Sequence, residues 1–242
     1  MKRAQIEAFF TILRDLDPEP QSELDYGSDY QLLVAVLLSA QATDAGVNRA
    51  TAPLFERVKT PQDMLALGEE GLKTYIRTIG LFNTKAANTI AMSAALLADH
   101  GGKVPTDRDA LQRLPGVGRK TANVVMNCAF GAETFAVDTH VFRVANRTGL
   151  APGKDVVAVE AALEQRVPKP FRRDAHHWLI LLGRYTCKAR LPECWRCPVV
   201  AQCDYKAKVL SPPARRLPKR SDASVGPTDS LASDGQNDLS DM

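Results

Sequence analysis

Apolar residues recur along most of the chain at the three- and four-residue spacing of amphipathic helices. No segment of useful length alternates between apolar and polar residues as a half-buried strand would, and residues 134–138 are too short to predict a strand. The pattern predicts helices over about 6–16, 32–40, 43–55, 69–79, 83–100, 106–114, 117–130, 139–148, 155–167 and 172–184. A further short helix is predicted to start at residues 60–61. The predicted fold class is therefore all-α.

Polar residues at the predicted helix starts supply the N-caps. Ser28 followed by Gln31 fits a capping box, in which each side chain bonds the other's backbone amide. Thr60 before Pro61 fits a cap followed by a first helical residue. The other residues expected to act as N-caps are Thr43 or Asp44, Asn83 and Thr106.

Composition places the chain among ordinary globular proteins, with 242 residues, 45% hydrophobic and 24% charged. The net charge of +3 permits a local nucleic-acid-binding patch without requiring one. No apolar run could span a bilayer, and the N-terminus lacks the apolar core of a signal peptide. We expect a cytoplasmic protein, in which clustered cysteines are metal ligands or redox groups rather than disulfides.

The end of the chain, from Ser211 to Met242, is rich in Pro, Ser, Asp and Gly and has few large apolar residues. Such a segment cannot bury a core, so residues 211–242 are predicted to form a disordered tail. Its basic residues are predicted to be solvated, with a phosphate-contacting arm as the alternative. They are Arg215, Arg216, Lys219 and Arg220.

The segment 114–122 reads LPGVGRKTA and predicts a tight turn that opens a helix. Pro115 fixes one φ angle, and Gly116 and Gly118 permit positive φ or a close backbone approach. Free N–H groups at the helix start would suit a phosphate, and Lys120 lies in the first turn. A plain helix–helix turn with a surface lysine is the alternative.

Four of the five cysteines lie in one short segment with the spacing C-x6-C-x2-C-x5-C. They are Cys187, Cys194, Cys197 and Cys203. Four thiolates suit either a tetrahedral zinc ion or an iron–sulfur cubane, and the wide gaps favour the cubane. The loop between the first two cysteines would present Lys188 and Arg190 to a phosphate backbone, or simply to water. Cys128 is expected to be a small core residue.

Five features together resemble the endonuclease III family of the helix-hairpin-helix DNA glycosylase superfamily, over about residues 1–210. They are the segments 38–44, 114–122, 137–141 and 183–187 and the cysteine spacing. The resemblance implies two helical domains with a DNA cleft between them. One is a six-helix barrel with the hairpin, here 22–132. The other combines 1–21 with 133–210 and carries a [4Fe–4S] cluster.

The implied activity is excision of oxidised pyrimidines of the thymine glycol type from duplex DNA. Strand cleavage at the abasic site would follow by β-elimination through a lysine Schiff base. Lys120 matches the family's amine nucleophile, which burial and a helix N-terminus are expected to activate. Asp138 matches the family carboxylate, which would stabilise the sugar cation and move the proton. The base must first leave the duplex stack.

The resemblance also implies how DNA is held. Gln41 would fill the space left by the flipped base, and Leu81 would act as an apolar wedge from the other side. The amides of Gly116 and Gly118 would hold a phosphate, directly or through a monovalent cation. The expected partner is double-stranded DNA with damaged pyrimidines or abasic sites, bound by a monomer, with no membrane. Through DNA the protein would associate with a bacterial nucleoid.

Two other functions fit parts of the sequence. An adenine-from-mismatch glycosylase of the same superfamily would lack a lysine at position 120 and would need a large extra C-terminal domain. A non-catalytic DNA-binding or redox-sensing protein would need neither Lys120 nor Asp138. The histidines His140, His176 and His177 are expected to be hydrogen-bonded structural residues, since lysine and aspartate already complete the chemistry.

Overall fold

Ten α-helices and two short 3-10 helices make up the part of the chain that the computed structural model describes, residues 1–213. In chain order the α-helices are α1 Arg3–Leu16, α2 Asp29–Leu38, α3 Asp44–Arg57, α4 Pro61–Ile76, α5 Phe82–His100, α6 Arg108–Arg113, α7 Arg119–Phe130, α8 Thr139–Thr148, α9 Val156–Arg166 and α10 Arg172–Tyr185. The 3-10 helices are Lys169–Phe171 and Cys194–Arg196. Residues 1–213 contain no strand, which confirms the all-α prediction.

Two of the predicted N-caps are confirmed in full by their hydrogen bonds. Thr43 accepts a bond from the amide of Gly46, and Thr60 forms a capping box with Asp63. The two helices predicted between residues 60 and 79 are present as the two parts of α4, which a non-helical Gly68 with φ 72° separates. A glycine permits this left-handed break at little steric cost.

Three predicted caps are wrong or incomplete. Leu81, not Asn83, is the N-cap of α5, and Asp107 replaces Thr106 at the start of α6. Ser28 does accept from the amide of Gln31. The side chain of Gln31, however, is buried and bonds the amide of Gly27 and the carbonyls of Phe55 and Val58, so no reciprocal box forms.

Buried apolar side chains form two clusters. The first takes in α2, which is buried all round from Tyr30 to Leu38, with parts of α3, α4, α5, α6 and α7 packed about it. The second joins α1 to α8, α9 and α10 and includes Phe135 and Val199. The predicted domain bounds follow this split but stay a prediction, since Met1–Pro212 form one compact unit.

A buried carboxylate joins the two clusters. Glu160 of α9 accepts from Arg119 of α7 at 2.8 and 2.9 Å and from the Asn123 amide at 2.9 Å. Asn123 also donates to the carbonyl of Phe135 at 3.1 Å. Because α7 follows the predicted turn, these bonds fix the orientation of Lys120's helix against the second cluster.

None of the described helices is both long enough and apolar enough to cross a bilayer. The predictions made for the tail and for its basic residues Arg215, Arg216, Lys219 and Arg220 lie outside the described residues, except for residues 211–213.

Candidate active site and metal centre

The turn between α6 and α7 is a hairpin of residues 114–118, anchored by the buried side chains of Leu114 and Val117. Gly116 has φ 76°, and a Cβ there would lie 2.9 Å from the Cβ of Asn88, so this position requires glycine. Gly118 has an ordinary φ of −88° and open space around it. Within residues 1–213 no side chain caps α7, so its first amides can donate hydrogen bonds to an external anion.

Lys120 is the second residue of α7 and is exposed, so its expected burial is wrong for the free protein. Its side chain lines a cleft of about 810 Å³. One wall is a face of α7 and the other a face of α10, each repeating every fourth residue as one side of a helix does. The wall residues are Lys120, Thr121, Val124 and Cys128 on α7 and His176, His177, Ile180, Leu181 and Arg184 on α10.

Asp138 lines the same cleft and is the N-cap of α8. Its Oδ1 accepts from the amides of His140 and Val141, at 2.8 Å each. Oδ2 has no hydrogen-bond partner in the described residues. Capping of α8 and the chemical role that the resemblance implies for Asp138 are therefore compatible, because each can use a different oxygen.

Gln41 and Leu81 both lie exposed at helix ends with left-handed backbones, at φ 55° and 61°. Gln41 lines the cleft with Lys120 and Asp138, whereas Leu81 lies outside it, at the start of α5. Leu81 is 62% exposed, so it is not a core residue. The structure thus brings three of the predicted site residues into one cleft and leaves Leu81, Gly116 and Gly118 outside its lining.

Two of the three histidines meet the expectation of structural hydrogen bonding. His140 Nδ1 lies 3.2 Å from Arg143 Nη2 and must accept, because guanidinium has only donors. His177 Nε2 lies 3.7 Å from the Sγ of Cys128, which is half-buried rather than a full core residue. His176 contradicts the expectation, since it is 1% exposed and its Nδ1 has no partner in residues 1–213.

Burial is the main influence on the pKa values of His176 and Cys128. It lowers the pKa of His176 to about 3, with smaller contributions from the charges of His177, Lys120 and Arg184. Burial also raises the pKa of the Cys128 thiol to about 11. At neutral pH both groups are uncharged, so neither is a general acid or a thiolate nucleophile.

The four clustered cysteines line one small cavity. No three His, Cys, Asp or Glu side chains in residues 1–213 are arranged to hold a single metal ion. Four thiol donors that line one cavity are a donor set suited to a thiolate-bound metal centre.

Arg147 of α8 holds the loop that follows the first cysteine. It donates to Cys187 Sγ at 3.5 Å and to the carbonyls of Lys188 and Ala189 at 2.8 and 3.0 Å. Lys188 and Arg190 are both exposed, as predicted. Lys188 Nζ lies 2.7 Å from Glu193, whereas Arg190 has no ion pair in the described residues. Arg190 is therefore the loop's more available cation.

Sequence reasoning missed two features of the site. The buried Glu160 was visible as an acidic residue beside the apolar positions Val159 and Leu163 of α9, but its partner Arg119 was not. Arg184, in the cleft wall, bonds both Glu23 and Asp44, more than 130 residues away in sequence, and no local pattern signals this.

Comparison with known proteins adds three likenesses. Residues 34–169 match the family model described as HhH-GPD superfamily base excision DNA repair protein. Endonuclease III of Escherichia coli is 57% identical over 209 residues, covering 86% of this chain and 99% of that protein. Endonuclease III of Haemophilus influenzae is 58% identical over 208 residues, covering 86% of this chain and 97% of that protein.

A solved structure of a trapped endonuclease III–DNA covalent intermediate, an estranged-adenine complex, superposes with a TM-score of 0.78. Its sequence is 44% identical, and the match covers 84% of this chain and 96% of that chain.

Proposed function

The chain belongs to the HhH-GPD superfamily of base excision DNA repair proteins, and from this premise we propose a bifunctional glycosylase and AP lyase that excises oxidised pyrimidines from duplex DNA. The observation that carries the proposal is the shared cleft of Lys120 and Asp138. An amine and a carboxylate at the ends of two helices, beside a phosphate-binding hairpin, are the groups that this chemistry needs.

Lys120 is the proposed nucleophile. Its nitrogen lone pair forms a bond to C1′ of the flipped nucleoside. The glycosidic bond breaks at the same time, and the base leaves with the electron pair of that bond. Opening of the sugar gives an imine, which acidifies the C2′ proton. Loss of that proton expels the 3′ phosphate and cleaves the strand. A hydroxyl in place of the amine could not form the imine.

Asp138 is the proposed partner of this lysine. Its free Oδ2 carries the negative charge that stabilises the sugar cation as the base departs. The same oxygen can take a proton from the lysine amine and return it in a later step. The α8 amides hold Oδ1 at 2.8 Å and so keep the carboxylate in one orientation.

Gln41 and Leu81 are proposed to occupy the duplex on either side of the flipped base. Both are exposed and held in left-handed backbone. The Gly116 and Gly118 amides are proposed to hold a phosphate, directly or through a monovalent cation. Exposed Lys188 and Arg190 would contact a further stretch of backbone. In this proposal a monomer works on nucleoid DNA.

A [4Fe–4S] cluster is the proposed guest of the four cysteines, supported by the cavity they line together. Cys187, Cys194, Cys197 and Cys203 would each give one thiolate. When bound, the cluster would supply four Fe–S bonds that cross-link the segment 187–203. The role that we propose for the cluster is structural, because cross-linking this segment needs nothing beyond the four thiolates. Arg147 orders the same loop from α8. We also propose that the two buried clusters are the two domains given above.

The function is tested on duplex DNA containing a single thymine glycol. Wild-type protein should release the base and nick the strand, and Asp138→Asn should slow both by about 10²-fold. Lys120→Ala should abolish nicking while retaining affinity for the duplex, because the hairpin is intact. Binding without base release by the wild type would contradict the proposal and favour a non-catalytic DNA-binding protein.

A further inference from the structure

The imidazole of His176 is a buried polar group in the active-site cleft that the mechanism above does not use. It lines the cleft, is 1% exposed, and has no hydrogen-bond partner for Nδ1 within residues 1–213. Three other buried side-chain atoms lack partners there, on Lys85, Asn123 and Gln202, and none of these residues lines the cleft. Among residues 1–213, His176 is therefore the cleft-lining residue with a buried side-chain atom that has no partner.

A buried imidazole without a partner is unfavourable, and native structures pair such groups with protein, water or ligand. The ring lies in a buried stretch of α10, in which Ala175 and Leu179 are also buried, and its centroid is 5.3 Å from that of the His177 ring. His177 itself is engaged by Cys128. The ring of His176 is neutral at physiological pH, so one nitrogen donates and the other accepts.

Resting on the proposed function, we propose that His176 hydrogen-bonds the extrahelical damaged base and so helps to select pyrimidine lesions. The cleft's volume of about 810 Å³ accommodates a nucleoside. Its lining combines polar groups with apolar side chains against which a flat base can pack. The apolar side chains include Val36, Val124, Phe142, Ile180 and Leu181. Ring-oxidised pyrimidines keep the carbonyls and ring N–H groups that a neutral imidazole binds.

A water that hydrolyses the imine on Lys120 is the other occupant to consider. Lys120 is exposed, so solvent reaches the imine without help from a buried ring. His176 lies beside apolar wall residues instead. Burial against them lowers the free energy of a flat base more than that of a water molecule. The observations therefore favour the base.

The test separates the two chemical steps. A duplex with thymine glycol reports base excision, whereas a duplex with a preformed abasic site reports lyase activity with no base present. His176→Phe should slow single-turnover base release by about tenfold or more and leave the lyase rate within about twofold. His176→Gln should recover part of the excision rate, because its amide can still donate and accept.

His177→Phe is the matched control, a neighbouring ring whose partner is Cys128. It should change excision and lyase rates in equal proportion. Should H176F fail to fold, His176→Leu gives the same ratio. Equal loss of both activities in the His176 variants would overturn the proposal, and so would loss of lyase turnover alone, which would indicate the hydrolytic water. Wild-type protein inactive on both duplexes would overturn the proposed function itself.

Discussion

Gln41 and Leu81 share a left-handed backbone conformation that no other non-glycine residue in 1–213 adopts. Gln41 lies between α2 and α3, and Leu81 caps α5 without a side-chain hydrogen bond. Left-handed backbone costs an L-residue about 1–2 kcal/mol. Strain retained at two exposed positions supports the proposal that both residues contact DNA.

Replacing Leu81 by glycine should separate stability from function. Glycine relieves the left-handed strain at a cost in chain entropy, so the free energy of unfolding should change by less than about 1 kcal/mol. Loss of the apolar wedge should reduce base excision by about tenfold or more. Urea unfolding and single-turnover excision on the same protein measure the two effects.

Leu65→Gly is the matched control, since Leu65 is also an exposed leucine but lies within helical α4. It should destabilise the fold by about 1 kcal/mol and leave excision unchanged. An L81G protein that excises at the wild-type rate would show that Leu81 is not the wedge.

Removing the carboxylate of Glu160 should loosen the helix that carries Lys120. Glu160→Ala leaves Arg119 and Asn123 without their acceptor and should cost about 3 kcal/mol of folding free energy. Glu160→Gln keeps the shape and should cost about half as much. Affinity for an abasic duplex should fall with stability, because the hairpin precedes α7.

Arg108→Ala provides the comparison for the Glu160 variants. Arg108 lies 3.7 Å from the carboxylate of Glu160, and its side chain is 36% exposed against 7% for Glu160. Its effect on the free energy of unfolding should stay within about 1 kcal/mol. Equal effects of E160A and R108A would contradict the assignment of the Arg119–Glu160–Asn123 bonds as the connection between the two buried clusters.

Acid should destabilise the protein through His176. Its pKa in the folded state is about 3, below the ordinary 6.5. Below pH 6.5 the unfolded chain takes up a proton that the folded chain does not, so the free energy of unfolding falls as pH drops. The loss approaches about 1.4 kcal/mol per pH unit and continues to pH 3. It is absent above pH 6.5.

Urea unfolding between about pH 7 and pH 5.5 measures this contribution. His176→Phe should remove about 1 kcal/mol per pH unit from the wild-type slope over the acid half of the range. His177 remains in both proteins and does not affect the difference. Identical slopes would mean that His176 is not held neutral by burial.

The loop after Cys187 should contribute to DNA affinity through Arg190 more than through Lys188. A phosphate contact releases counterions, so Arg190→Ala should reduce the slope of log affinity against log salt by about 0.9. Lys188→Ala should reduce it less, because Lys188 is already paired with Glu193 at 2.7 Å. Binding titrations over a salt series decide this, and an unchanged slope in R190A would remove the loop from the interface.

The sequence predicted the helices and singled out Lys120 and Asp138, which line one cleft, because both depend on local signals. Apolar periodicity sets the helices, and the motifs around Lys120 and Asp138 carry the site. The caps at Asn83 and Thr106 were wrong because the N-cap of α5 is Leu81, two residues earlier, and because Asp107, the neighbour of Thr106, caps α6. Gln31 was drawn into the core by carbonyls of α3, which only the fold brings near.

The side chains that sequence reasoning could not place are those defined by long-range contacts. The bond between Arg119 and Glu160 spans 41 residues, and the isolation of His176 depends on what α7 and α10 leave between them. The exposure of Lys120 was equally invisible, because a helix start gives no indication of whether another element covers it.

Borohydride trapping tests the central claim most directly. It reduces an imine between protein and DNA to a stable covalent bond, so the wild-type protein incubated with thymine glycol duplex should give an adduct. Lys120→Ala should give none, while Lys154→Ala, a lysine outside the cleft lining, should trap as the wild type does. An adduct that persists in K120A, or no adduct with the wild type, would contradict Lys120 as the nucleophile.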